Sequence, residues 1–91
     1  MTFQFHGMTM PEHLEESLTL YAEHGVPTGD FLRACLANDL LEAAGRADGQ
    51  NIHNLGVIAA YIYNELPRGS HGSREAVDAW LKSFRKADED D

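Results

Sequence analysis

Four stretches of helical periodicity, separated by glycine and proline, follow a short opening of period two. Phe3 and Phe5 alternate with Gln4 and His6 across residues 2–6, which predicts a short strand. A single strand does not stand alone. Residues 1–7 are therefore expected to lie on the helices as an extended arm or to pair with another chain, with Gly7 to Met10 turning into the first helix.

Pro11 suits a first helical position, and Glu12, Glu15 and Glu16 crowd the first turns, where the dipole favours carboxylates. Leu14, Leu18, Tyr21 and Ala22 form one apolar stripe, and Gly25 with Pro27 stops it, giving a helix over 11–24. Thr28 reads as the cap of a second helix over 28–45, ended by Gly45. Its stripe of Leu32, Cys35, Leu36, Leu40 and Ala43 is widened by Phe31, Ala34, Leu41 and Ala44, the breadth expected of a central helix. Asp48 caps a third, over 49–66, with Ile52, Leu55, Ala59, Ile62 and Leu66 on one face, a kink at Gly56 and a stop at Pro67. Residues 68–72 form a loop. Ser73 opens a fourth helix over 73–86 whose face is Val77, Trp80, Leu81 and Phe84.

The expected fold is mainly α: a single-domain bundle of about four helices with a short N-terminal extended strand. The helical domain covers 1–87, and 88–91 is an acidic disordered tail. The core is expected to hold Leu18, Leu32, Leu36, Leu40, Ile58, Ile62, Val77, Trp80, Leu81 and Phe84.

A length of 91 residues supports one small domain, and 43% apolar with 24% charged residues is ordinary globular composition. No apolar run reaches the roughly 18 residues of a membrane span. The lone Cys35 excludes an internal disulfide, and the opening residues lack a signal-peptide pattern. The expected location is the cytoplasm, that of a bacterial host.

Charge divides the chain. Residues 1–45 carry Glu12, Glu15, Glu16, Glu23, Asp30, Asp39 and Glu42 against Arg33 alone, whereas 46–87 are net basic and the tail is wholly acidic, within an overall −8. Such a balance disfavours direct contact with phosphates and favours a basic protein or nucleoprotein complex as partner.

Candidate chemistry is sparse. His6, His13, His24, His53 and His71 show no ligand spacing, so neither metal nor cofactor is expected. Cys35 lies on the apolar stripe of the second helix, where a thiol behaves as a small hydrophobe. Ser70 beside His71, with Asp39 elsewhere, is the only arrangement resembling a nucleophile set, and no G-x-S-x-G elbow accompanies it. No catalytic residue is assigned. Asn38 and Asp39 interrupt an apolar helix. Two readings stay open for them: a solvated strip, or partial burial with a hydrogen bond to a loop or to Arg46.

The runs HGVPTGDFLRACLANDLLEAAGRAD and YIYNELPRGSHGSREAVDAWL carry an order of features. A helix ends at Gly25, a turn holds Pro27, and a helix bears Asn38 and Asp39. Tyr63, Asn64, Glu65 and Pro67 form a stop, and Gly72 with Ser73 restarts. Across about 55 of the 91 residues this resembles small uncharacterised proteins of bacteriophages and other mobile elements, which have an aromatic residue where His71 stands here. Those are capping and packing positions and transfer no activity. Small acidic proteins of such elements include the anti-CRISPR proteins, and the size and charge resemble that class.

The resulting expectation is a non-enzymatic inhibitor that sets an acidic surface against a basic nucleic-acid-binding protein such as a CRISPR effector complex. Its contacts would be Glu12, Glu15, Glu16, Glu23, Asp30 and Glu42. The alternative is a phage structural or assembly module, dimeric through the Phe3–Phe5 strand or the fourth helix. Monomer and homodimer are both compatible with the sequence.

Overall fold

The computed structural model describes residues 3–89, with side chains through Arg85. The start of the expected strand at Thr2, the side chain of Lys86 and the tail residues Asp90 and Asp91 lie outside them. The elements run β1 Gln4–Phe5, β2 Met8–Thr9, α1 Glu12–His24, α2 Asp30–Leu36, α3 Leu40–Arg46, α4 Leu55–Glu65 and α5 Arg74–Glu89. Short 3₁₀ turns at Asn51–Asn54 and Arg68–Ser70 precede α4 and α5. The fold is mainly α with a two-stranded antiparallel sheet at the N-terminus.

The opening strand has its partner within the chain, which corrects the expectation of an unpaired arm. Gln4 faces Thr9 and Phe5 faces Met8, and the Met10 amide donates to the Phe3 carbonyl at 2.8 Å. His6 and Gly7 make the connection at φ 49° and 79°, the double positive φ that a two-residue hairpin turn requires. The ribbon lies on α4, with the Phe3 ring edge-on to Tyr61 at 5.4 Å, and Met10 is buried where it leads into α1.

Helix α1 follows its expected bounds closely and buries Leu14, Leu18 and Tyr21. Gly25 ends it at φ 67°, its amide donating to the Tyr21 carbonyl, the bond of an αL cap, while the Val26 amide donates to Leu20. A Cβ on Gly25 would overlap the Phe84 side chain, so this position is restricted twice.

The second expected helix is two helices. Asn38 stands at φ 60° and breaks it, and Asp39 then caps α3 by accepting the Glu42 amide at 3.1 Å. The break turns α3 outward and overturns Leu40 as core: Leu40 is 68% exposed and Leu41 85%. Gly29 caps α2 in place of Thr28. Helix α2 remains central, touching α3, α4 and α5.

The third expected helix begins with a 3₁₀ turn, whose Gln50 and Asn51 amides are accepted by Asp48. Its buried side is Val57, Ile58, Ala60, Tyr61 and Ile62, so the expected stripe holds at Ile62 and Leu66 and fails at Ile52 and Ala59, which are exposed, with Leu55 half-buried. Ser73 caps α5 as expected, accepting the Ala76 amide at 3.0 Å. The core gathers Met10, Leu14, Leu18, Tyr21, Leu32, Leu36, Val57, Ile58, Tyr61, Ile62 and Val77, with Trp80 and Leu81 half-buried against it. Phe84 is also half-buried, its ring 5.6 Å from that of Trp80.

Candidate functional site

The acidic first half of the chain separates into two groups once folded. Asp30 and Glu42 converge on Arg46, at 3.3 and 2.7 Å. Asp39 accepts from Arg74 at 3.0 Å, so of the two readings open for it the partly buried, hydrogen-bonded one holds, with Arg74 as the partner in place of a loop or Arg46. Arg33 is paired with Asp78 at 3.0 Å. The hydrogen bond from Glu42, then the charges of Glu42 and Asp30, raise the pKa of Arg46. Asp30, Arg33, Glu42, Arg46 and Arg74 line a polar recess of about 120 Å³. The pairs clip α2 to α3 and α5 to both, each contributing little to stability because all are solvent-exposed.

The other group is α1. Glu12, Glu15, Glu16 and Glu23 have no ion pair among the described residues. At 3.6 residues per turn, Glu12, Glu16 and Glu23 fall in one narrow sector, opposite the buried Leu14, Leu18 and Tyr21. Leu20, 46% exposed, borders that sector, and Val26 at 43% follows the cap. Glu12 and Glu16 are like charges at i, i+4, which destabilises a helix by a few tenths of a kcal/mol. Glu23 lies in the last turn, where the dipole disfavours a carboxylate. Glu12 in the first turn is favoured by the dipole, so the stability of α1 accounts for part of this stripe and leaves Glu16 and Glu23 unaccounted for.

The Ser70–His71 pair belongs to the scaffold. Ser70 is fully buried, its Oγ donating to the Pro67 carbonyl at 2.6 Å. His71 Nδ1 lies 3.1 Å from that same oxygen, whose hydrogen is already committed. The Tyr21 hydroxyl donates to the Ser70 carbonyl at 2.6 Å, and Trp80 Nε1 donates to the Tyr21 carbonyl at 3.1 Å. Burial, with the Asp78 charge adding and Arg33 opposing, pushes the Tyr21 phenol up to about 12. Burial lowers the pKa of His71 against the Pro67 carbonyl, which favours the cation. Gly72 donates to the Leu36 carbonyl at 2.8 Å, docking this loop on the end of α2. Among the described residues, no three His, Cys, Asp or Glu side chains gather as metal ligands.

Cys35 is half-buried, and burial pushes its thiol up to about 11, away from the reactive thiolate. It lies between two adjoining recesses. One, of about 90 Å³, is lined by Leu40, Ala43, Leu55 and Ala59; the other, of about 450 Å³, by Ala59, Ile62, Tyr63 and His71. The sequence reading missed this groove because it had placed Leu40 and Ala59 inside.

No described helix is long and apolar enough to cross a membrane. No protein-family model, curated protein or solved structure matches the chain.

Proposed function

We propose that this protein is a non-enzymatic inhibitor that presents the α1 carboxylates to a basic nucleic-acid-binding protein in a bacterial cytoplasm. A CRISPR effector complex is the kind of target this chemistry fits, as expected of an anti-CRISPR protein carried by a phage or other mobile element. One observation carries the reading: Glu12, Glu15, Glu16 and Glu23 lack ion-pair partners among the described residues, while Asp30, Asp39 and Glu42 are each held by an arginine. An unpaired acidic stripe beside the exposed Leu20 gives an apolar anchor with a charged rim. Carboxylates so placed occupy Lys and Arg sites that otherwise hold phosphate.

The reading is tested by DNA-binding inhibition against a panel of purified CRISPR effector complexes. Wild-type protein is expected to block at least one, and the triple reversal Glu12→Lys, Glu15→Lys, Glu16→Lys to fail while its helical circular dichroism persists. Equal inhibition by the reversal, or inhibition of none, rejects the proposal. The alternative of a phage structural or assembly module, a homo-oligomer through the first strand or the fourth helix, keeps only its second route as motivation, since β1 pairs with β2.

A further inference from the structure

Helix α4 and the turn before it carry no Asp, Glu, Lys or Arg from Gly49 to Asn64, in a chain that is 24% charged. A helix apolar on all sides normally lies buried on all sides. A strip of α4 stays uncovered: Val57, Ile58, Ala60, Tyr61 and Ile62 are buried, while Ile52 in the turn before it and Gly56, Ala59 and Tyr63 are exposed, Tyr63 by 81%. Leu40, 68% exposed, continues the surface across the recess it shares with Leu55 and Ala59.

We propose that this face is a self-association surface on which a second copy of the chain lays its own α4, antiparallel about a two-fold axis. Two observations select a second copy over a basic partner. The first is charge: the one carboxylate at the edge of this face, Asp39, is already held by Arg74, which leaves a basic protein nothing to pair with. The face is also the stretch along which two molecules of net −8 can approach with least repulsion. The second is size order along the 3₁₀ turn that holds Ile52 and the helix that follows it. In an antiparallel pair centred between Gly56 and Ala59, Gly56 meets Ala59 of the other copy at the crossing, and Ile52 meets Tyr63 at both ends. Small residues at the crossing let the backbones approach, and large ones close the flanks, as an isologous interface requires. With Leu40 and Leu55 added, the two copies would bury on the order of 1,000 Å² in total, the lower end of specific interfaces. The dimer is accordingly weak and dissociates on dilution.

This proposal stands apart from the reading of α1 and fails separately. Sedimentation velocity from about 10 µM to about 1 mM is expected to show monomer giving way to dimer by mass action. The dimer should persist at high salt, because its contacts are apolar. Ala59→Arg and Tyr63→Lys, each folded by circular dichroism, should weaken dimerisation at least tenfold, and Leu20→Arg on α1 should leave it unchanged. A wild-type chain that stays monomeric throughout, a dimer that salt dissolves, or one that tolerates both α4 substitutions overturns the proposal.

Discussion

Tyr21 joins three parts of the molecule through two hydrogen bonds, one given by its hydroxyl to Ser70 and one received by its carbonyl from Trp80. Tyr21→Phe leaves the buried Ser70 carbonyl unanswered, and a denaturant titration is expected to show a loss of about 1–3 kcal/mol. Asn38 illustrates a residue whose role the sequence concealed. Its flanking residues keep helical periodicity, so the break is invisible to a search for apolar stripes. The signal was chemical: Asn tolerates the left-handed region, and Asp39 with Glu42 three residues later is a capping pattern. Asn38→Gly is therefore expected to be neutral within about 1 kcal/mol, while Asn38→Val costs about 1–2 kcal/mol or more, measured by thermal melt. His71 gives a pH dependence whose sign follows from its lowered pKa. The unfolded chain takes up the proton first, so stability is full above about pH 6.5 and declines as pH falls through that value. Melts near pH 7.5 and pH 5.5 should differ less in His71→Phe than in wild type.

At the scale of elements, pattern reading succeeded where one face is polar. α1 and α5 each have such a face, and their stripes of Leu14, Leu18 and Tyr21, and of Val77, Trp80 and Leu81, meet the core. On α4 it found Ile58, Ile62 and Leu66 but put Ile52 and Ala59 on the buried face, because a helix with so few polar positions has little to orient it. The hairpin was missed because His6 stands where Asn or Asp usually marks a two-residue turn, although Gly7 follows it as expected. The loop before α5 is held by bonds no sequence spacing reveals: Gly72 to Leu36, and Ser70 to Pro67.

The whole molecule is a slab of 44 × 30 × 19 Å, about two helix diameters thick, so its helices keep an outward side. Two of those sides differ sharply, the uncharged face of α4 and the unpaired carboxylates of α1. The acidic half was legible as composition, but composition could not separate carboxylates that clip helices together from those left to solvent; only the fold places Arg46 between Asp30 and Glu42. That separation is the central claim, and it is tested by titration calorimetry against whichever effector complex the proposed inhibition assay identifies as a target. Neutralising the unpaired set (Glu12→Gln, Glu15→Gln, Glu16→Gln, Glu23→Gln) is predicted to weaken binding at least tenfold, about 1.4 kcal/mol, and to flatten its salt dependence. Neutralising the paired set (Asp30→Asn, Glu42→Gln) is predicted to leave affinity within about twofold. Loss of binding in the paired set with none in the unpaired set would contradict the account.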